Sequence, residues 1–228
     1  MTTMIKRLPL LILLLRILIP CDLLAQNDKD FGIWYKFNTT LGVSKKIDAS
    51  VSTEFRTFRN AGTLEEGLIE AGAGYELTKF LSAGASYRFS LVKENDSEYH
   101  PEHKLFIETR ASAKPGDFTL QARFKYQIRF KTYFEEVIDK IPDHNLRVRL
   151  KTTYRTPSFP VNPWVFAETF IPTYPESEKF VGILRLGTGI EYVISKKHSI
   201  DLSYVFRRDY IPDIYDENIL SIEYNLDF

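Results

Sequence analysis

The segment from Phe118 to Phe130 alternates strictly between apolar and polar side chains, and this period of two constrains the fold more than any other feature. Every residue that shares the parity of Phe124 is apolar, and every residue that shares the parity of Arg123 is polar. In a chain that is 44% apolar, such an alternation arises by chance with odds on the order of 10⁻⁴ per window. A helix would give these side chains no consistent face, so the segment is predicted to be a β-strand.

The same alternation recurs along the chain and predicts further strands of similar length. They are expected at 31–43, 47–58, 67–77, 80–92, 103–114, 118–133, 145–156, 163–172, 180–194, 199–208 and 218–228. Ordinary globular strands have about 5–6 residues, whereas strands that span a membrane need about 9–11. Tight turns alternate with longer polar loops at 59–66, 93–102, 134–144, 173–179 and 209–217.

This pattern predicts an all-β protein, a closed antiparallel transmembrane β-barrel of about 10–12 strands. Short periplasmic turns and longer extracellular loops are typical of barrels in the bacterial outer membrane. Such single-chain barrels usually have an even number of strands. The odd number of predicted strands therefore leaves three explanations open: a missing strand, a merged strand or a first strand that threads differently.

The first residues have the three parts of a secretory signal peptide. Lys6 and Arg7 precede an apolar run of roughly 12 residues, which is too short to span a bilayer, and Ala25 suits a cleavage site. Residues 1–25 are therefore predicted to be a cleaved signal peptide and residues 26–228 the barrel. Lipoprotein processing at Cys21 is an alternative that the preceding Pro20 disfavours.

Charge and cysteine content exclude several classes of function. The chain has 30 basic and 30 acidic residues, so it lacks the basic excess of a nucleic-acid-binding protein. Its one cysteine lies in the predicted signal peptide, so no disulfide and no thiolate metal site are expected. The group His100, Glu102 and His103 is interpreted as a solvated loop, and neither a metal nor a cofactor is predicted.

The end of the chain alternates like the other strands and closes on an aromatic residue. Tyr224, Leu226 and Phe228 share the apolar parity of this segment. A terminal aromatic strand resembles the signal that the outer-membrane assembly machinery reads, by pairing with a free strand edge. The machinery and outer-membrane lipid are therefore the predicted partners, and the outer membrane is the predicted location.

The chain also resembles a known family. The opening Asp30-Phe31-Gly32-Ile33-Trp34 and the run from Gly72 to Phe89 are similar to a group of small bacterial outer-membrane β-barrels. That group is defined only as a domain of unknown function. The resemblance covers essentially the whole chain after the signal peptide and implies fold and location, but no catalytic residues.

If the apolar parity faces lipid, the polar parity lines the lumen. The predicted basic wall consists of Arg123, Lys125, Arg129, Lys131, Arg147, Arg149, Lys151 and Arg155. The predicted acidic residues of the lumen are Glu54, Glu70, Glu76, Glu108, Glu168, Glu191 and Glu223. Trp164, Phe166 and Phe170 are expected inward near Glu168 and Arg185, where they form either an apolar pocket or simple packing.

Two functions follow from such a lumen. Crowded unpaired charges are costly to desolvate, so acidic and basic side chains are expected to pair across the lumen and fill it. The favoured interpretation is therefore a non-enzymatic structural or surface-interaction protein. The alternative is a narrow passive pore with weak anion preference, because a charged lining focuses the field on a solute.

A lipid-modifying enzyme at the outer rim is the third possibility. It would need a nucleophile within hydrogen-bonding reach of a histidine. Only His103 is predicted in a strand, with lipid-facing parity, and the neighbouring strand offers Tyr87, Phe89 and no serine on that face. No enzymatic activity is therefore predicted. Trp34, together with Tyr35, Tyr133 and Tyr210, is a candidate for an aromatic belt at the membrane interface.

Overall fold

The segments with period two form one closed barrel of eleven strands among the residues that the structure describes. The structure is a computed structural model and describes residues 29–94, 96–134, 137–175 and 179–228. The predicted signal peptide lies outside the described residues. The predicted all-β barrel of about 10–12 strands is confirmed.

The strands follow one another around the barrel in chain order. Their bounds are β1 Lys29–Gly42, β2 Ile47–Phe58, β3 Thr63–Thr78, β4 Leu81–Lys93, β5 Tyr99–Ala113, β6 Phe118–Lys131, β7 Asp143–Tyr154, β8 Val161–Tyr174, β9 Ile183–Val193, β10 His198–Asp209 and β11 Tyr215–Asp227. A short 3-10 helix, Val137–Lys140, follows β6. Within the described ranges, no helix has both the length and the apolar character needed to cross a membrane.

The barrel closes through a parallel pair of strands, which is how a barrel with an odd number of strands can close. Every other neighbouring pair is antiparallel, but β1 runs parallel to β11, from Lys29 opposite Asp216 to Thr40 opposite Asp227. When strands alternate in direction, an odd total makes the first and the last run the same way. The predicted antiparallel barrel is thus correct except at the β1–β11 pair, which we call the seam, and within the described ranges no strand is missing or merged.

The two rims differ in the length of their connections. One rim, which we call the short-turn rim, carries the turns at 43–46, 79–80, 114–117, 155–160 and 194–197 and the end of β11. The opposite rim, the long-loop rim, carries the connections at 59–62, 94–98, 132–142, 175–182 and 210–214 and the start of β1. The two strands that close the barrel therefore run in the same direction: β1 begins at the long-loop rim, and β11 ends at the short-turn rim.

The barrel wall is apolar outside and polar inside. Phe124 and Leu150 are 50% and 60% exposed on the outer surface. Buried inward residues are mostly polar or charged and include Glu54, Glu168 and Arg147. Because all eleven strands belong to one closed sheet, Phe124 does not pack against a second sheet, which is the arrangement of a barrel made for an apolar surrounding.

β3 and β5 show the largest extensions towards the long-loop rim beyond what the sequence predicts. β3 begins at Thr63 and β5 at Tyr99, so the predicted loops at 59–66 and 93–102 are shorter. The β2–β3 register shifts between Arg56 and Thr57, which leaves Glu65 as an extra residue in a bulge. A bulge interrupts the alternation by one residue, and the period-two signal therefore ends before the strand does.

Candidate functional site

The barrel interior holds two cavities that share part of their walls. One, of about 620 Å³, is lined near the long-loop rim by side chains such as Lys93 and Tyr174 and is called the long-loop cavity. The other, of about 830 Å³, reaches the short-turn rim at Asp48 and Asp227 and is called the short-turn cavity. Four arginines line both cavities: Arg56, Arg88, Arg147 and Arg185. A solute that moved between the cavities would have to pass these guanidinium groups.

Most of the predicted lumen charges line these cavities. The basic residues Arg123, Lys125, Arg147, Arg149 and Lys151 line the short-turn cavity, and Arg129, Lys131 and again Arg147 line the long-loop cavity. The acidic residues Glu54, Glu70, Glu108, Glu168, Glu191 and Glu223 line the short-turn cavity. Strand parity thus brings side chains from distant parts of the sequence into one interior.

Two predicted lumen residues, Arg155 and Glu76, lie at the short-turn rim instead. Arg155 follows the last residue of β7, and 54% of its side chain is exposed. Glu76 is exposed next to a register shift near the end of the β3–β4 pairing. Parity does not say where a strand leaves the barrel wall, and both residues lie where the chain turns towards solvent.

Besides Arg185, which was named with the inward aromatic residues, the predicted basic wall omits four arginines that the structure places in the lumen. They are Arg56, Arg88, Arg110 and Arg207, and each lines at least one cavity. Each has the inward parity of its own strand, so the signal that identifies Arg123 applies to them as well.

An ion-pair network extends along the wall from β2 to β7. Arg56 lies 2.7 Å from Glu54 and 2.5 Å from Glu66, measured between nitrogen and oxygen. The network continues from one contact to the next through Glu54, Arg56, Glu66, Lys104, Glu102, Arg129 and Asp143. Each charge of this network therefore has an opposite charge beside it.

A second network lies nearer the short-turn rim. Glu70 pairs with Arg88 at 2.7 Å and approaches Lys125 at 3.8 Å. Lys125 also pairs with Glu108 at 3.0 Å, and Glu108 with Arg110 at 2.8 Å. This network joins β3, β4, β5 and β6 and fills part of the lumen with paired charge.

A third group has more basic than acidic members. Glu168 accepts hydrogen bonds from Arg123 at 2.5 Å and from Arg147 at 3.1 Å. The carboxylate of Glu168 is buried, and two guanidinium groups share it. The wall formed by β6 to β9 is therefore more basic than the wall formed by β2 to β5.

The register of the barrel places five arginines in one cross-strand row, which we call the arginine row. In order of pairing it consists of Arg110 in β5, Arg123 in β6, Arg149 in β7, Glu168 in β8, Arg185 in β9 and Arg207 in β10. Arg110 lies three residues from the end of β5 at the short-turn rim, and Arg207 lies two residues from the end of β10 at the long-loop rim. The row therefore climbs the lumen wall from one rim to the other.

Two members of the row are not paired with a carboxylate. Arg149 and Arg185 form no ion pair with any residue that the structure describes, and the buried Nε of each has no hydrogen-bond acceptor there. Instead, Arg149 Cζ lies 4.3 Å from the ring centre of Phe166, and Arg185 Cζ lies 4.8 Å from that of Phe170. Stacking on a ring holds a guanidinium plane in place and leaves its N–H groups free.

Two glycines in β9 make room for the rings on which these cations lie. A Cβ at Gly187 would come within 2.2 Å of Phe166 Cε1, and a Cβ at Gly189 within 2.7 Å of Trp164 Cζ2. Trp164 and Phe166 pack together with ring centres 5.9 Å apart, and Lys151 Nζ lies 4.2 Å from the Trp164 ring. The aromatic residues of β8 thus cover the neighbouring strand inside the barrel.

Trp34 belongs to this aromatic interior and not to an interfacial belt, which corrects the sequence prediction. It is 8% exposed and packs in the interior with Val205 and Ile219. Arg185 Cζ lies 5.1 Å from its ring centre. Trp34 has the parity of Lys36, which lines the short-turn cavity, so its position in the strand directs it inward.

Three histidines pair with tyrosines on neighbouring strands. The Nδ1 of His103 is hydrogen-bonded to Tyr87 at 2.6 Å, that of His144 to Tyr126 at 2.7 Å, and that of His198 to Tyr224 at 2.6 Å. His144 and His198 were expected in a loop and a turn, but they lie at the starts of β7 and β10. In each of these pairs, the Nδ1 of the ring is engaged by a phenol.

The fourth histidine lies beside two acidic residues at the long-loop rim. Possible ligand atoms of Asp96, Glu98 and His100 lie within 4.8 Å of one another, whereas His103 is engaged elsewhere. The backbone N–H of Glu98 and the His100 ring hold the pKa of Asp96 below its usual value. His100 also stacks on Tyr133 with ring centres 4.2 Å apart. The interpretation of His100, Glu102 and His103 as a solvated loop is wrong, because all three lie in β5 and Glu102 is buried.

The predicted assembly residues lie along the seam. Tyr224 stacks on Phe37 of β1 with ring centres 5.5 Å apart. The backbone N–H of Phe228 donates to Thr40 at 2.9 Å, and its carbonyl accepts from Gly42 at 3.0 Å. The last residues of the chain therefore complete the closure of the barrel.

The comparisons with known proteins agree with this fold. A family model described as "Protein of unknown function (DUF2490)" matches residues 31–216. None of the curated proteins matches the sequence.

Among solved structures, the NanC porin is similar at 14% sequence identity with a TM-score of 0.57, over 87% of this chain and 99% of that chain. The β domain of the Bordetella autotransporter BrkA is similar at 12% identity with a TM-score of 0.54, over 81% of this chain and 85% of that chain. At this level of identity the likeness concerns the fold alone.

Proposed function

The chain belongs to the family described as protein of unknown function (DUF2490), and from this premise we propose that it is an outer-membrane barrel that provides a narrow passage for small anions. The observation that carries the proposal is the arginine row, which extends between the two rims. The passage would consist of the two cavities and the four arginines that line both.

The charge order of the row supports a role in passage over a role in stability. Three direct pairs in it join like charges: Arg110 with Arg123, Arg123 with Arg149, and Arg185 with Arg207. Like charges directly opposite one another destabilise a sheet. An interior that served stability alone would alternate the signs, as the network around Glu70 does. Basic residues spaced along a narrow path lower the barrier to an anion at each step.

The outer surface supports the proposed location. Apolar side chains such as Phe124, Leu150 and Ile107 cover it with exposures of 50%, 60% and 67%, which water would penalise and lipid would not. A closed barrel leaves no unpaired strand edge in the hydrocarbon. The outer-membrane assembly machinery would insert the chain through the strand that ends at Phe228.

Ion selectivity in a planar lipid bilayer tests the passage. Under a potassium chloride gradient, the reversal potential of the wild-type channel should have the sign of an anion-selective pore. Arg123→Gln, which removes one charge from the row, should move it towards zero. Arg208→Gln is the matched control, because Arg208 neighbours Arg207 in β10 but is paired with Asp216 at 2.7 Å and does not line either cavity. Cation selectivity, or an equal response to both changes, would refute the passage.

A closed structural barrel is the second candidate, and the ion-pair networks favour it. The network from Glu54 to Asp143 and the network around Glu70 place opposite charges side by side in the lumen. If these pairs hold the interior shut, the purified barrel will show no conductance. A lipid-modifying enzyme has less support, because the Nδ1 of His103 is engaged by Tyr87.

A further inference from the structure

Within the proposed passage, Arg149 and Arg185 differ from the other arginines of the row. Arg110 and Arg123 have carboxylate partners at 2.8 Å and 2.5 Å, and Arg207 has one at 2.6 Å. Arg149 and Arg185 have none among the described residues, and both line the short-turn cavity. Their charges are held at the cavity wall without being neutralised there.

The carboxylate that lies between these two arginines is already engaged. Glu168 is the register partner of Arg149 on one side and of Arg185 on the other. Its oxygens accept hydrogen bonds from Arg123 at 2.5 Å and from Arg147 at 3.1 and 3.2 Å. Glu168 therefore serves two other guanidinium groups, and the local charge stays strongly positive.

Aromatic rings hold the two guanidinium groups at the cavity wall. Arg149 lies on Phe166, and Arg185 lies between Phe170 and Trp34. A cation on a ring keeps part of its stabilisation without a counterion, and the buried Nε of each arginine remains an unused donor. A buried donor without an acceptor is unfavourable unless a ligand or water completes it.

We propose that Arg149 and Arg185 form a binding site for a divalent oxyanion, a phosphate or sulfate group that is either inorganic or carried on a small organic ester. Two guanidinium groups present planar forks that match the oxygens of such a group. Its double charge offsets most of the excess left by Arg123, Arg147, Arg149 and Arg185 around Glu168. The inference rests on the proposed anion passage and adds to it a site at which the anion binds.

Trp34 and Trp164 are the only tryptophans of the chain, and both report on this region. Arg185 lies 5.1 Å from the Trp34 ring and Lys151 lies 4.2 Å from the Trp164 ring. The refolded full barrel in detergent can therefore be titrated with sodium sulfate, sodium phosphate or phenyl phosphate at constant ionic strength, with chloride as the reference salt. The expected result is a saturable change in tryptophan fluorescence with the divalent anions and none with chloride. Tighter binding of phenyl phosphate than of phosphate would identify the ester as the preferred source, and the reverse order would identify the inorganic ion.

The double change Arg149→Lys with Arg185→Lys keeps both charges and removes the forks. It should weaken the apparent affinity at least about tenfold, equivalent to the loss of one charge-assisted hydrogen bond, while Arg208→Gln should leave the affinity unchanged. Heat-modifiable migration on a gel verifies that each variant is folded. A wild-type response that is absent, or that is the same in the double lysine variant, would overturn the site.

The site and the passage can fail separately. Anion-selective currents without saturable binding would overturn the site and leave the passage standing. Saturable binding to a barrel that carries no current would refute the passage and support the site as a closed binding pocket.

Discussion

Gly187 in β9 lies against the ring of Phe166 in β8, so closely that a Cβ would come within 2.2 Å of Phe166 Cε1. The ring carries Arg149, whose Cζ is 4.3 Å from its centre. The absence of a side chain at Gly187 therefore leaves room for the Phe166 ring, and the ring in turn positions the guanidinium group of Arg149 in the lumen.

Gly187→Ala should displace the Phe166 ring and lower the stability of the barrel by about 1–3 kcal/mol, the usual cost of overpacking. Urea unfolding in detergent micelles, followed by tryptophan fluorescence, measures this change. Gly67→Ala is the matched control, because its nearest atoms lie at 3.7 Å, an ordinary contact distance. An equal loss of stability in both variants would show that the ring does not depend on Gly187.

Glu168→Gln should have opposite effects on stability and on selectivity. It leaves Arg123 and Arg147 without their carboxylate, and breaking a buried pair costs about 3–5 kcal/mol. The same change makes the lumen more positive, so anion selectivity should increase. Urea unfolding and reversal potentials measure the two effects, and Glu191→Gln is the control for the unfolding measurement because its ion-pair partner Arg155 is 3.5 Å away and largely exposed. A fall in anion selectivity with Glu168→Gln would contradict the proposed path.

Asp30 connects the seam to the loop between β2 and β3. Its carboxylate accepts hydrogen bonds from the backbone of Arg59 at 2.7 Å and Asn60 at 2.8 Å and from the hydroxyl of Tyr215 at 2.7 Å. Arg59 and Asn60 have φ values of 53° and 55°, a conformation that costs energy outside glycine.

Asp30→Ala should therefore loosen this loop and make it sensitive to limited proteolysis, with cleavage near 59–62. Tyr215→Phe removes only one of the hydrogen bonds and should leave the loop resistant. Mapping the cleavage site by mass spectrometry distinguishes the two. If both variants resist cleavage equally, Asp30 does not hold the loop.

Phe228→Ala tests the role of the last strand in assembly. Its ring is 60% exposed, so its loss should affect the refolded barrel little but reduce the amount of heat-modifiable protein in the outer-membrane fraction of cells. Phe80→Ala removes another exposed ring at the same rim, 63% exposed, away from the end of the chain. An equal reduction for both variants would indicate general loss of interfacial anchoring and not a specific signal.

The fold could be predicted from the sequence to the extent that each strand carries its own alternation. Phe118 to Phe130 shows its two faces without reference to any other segment, and so the barrel and its polar interior follow from local pattern. Strand ends are less visible, because the bulge at Glu65 shifts the alternation while the backbone remains paired.

The candidate site could be predicted only in part, for a related reason. Arg149 and Glu168 were expected to face inward from their parity alone. That Arg149 stands opposite Arg123, and that Arg185 stands opposite Arg207, depends on the register between strands. The register follows from turn lengths and barrel closure, and the sequence of a single strand contains no information about either. The unpaired state of Arg149 likewise depends on which carboxylates happen to be near it.

The parallel seam has a practical consequence for protein engineering. In a barrel with an even number of alternating strands, the start of the first strand and the end of the last strand lie at the same rim, and a short linker can join them to create new termini elsewhere. Here the start of β1 and the end of β11 lie at opposite rims. A linker would have to travel the length of a 14-residue strand, about 46 Å at 3.3 Å per residue. Circular permutation with a short linker is thus ruled out by geometry, and tags fused next to Lys29 and after Phe228 would emerge at opposite rims of the barrel.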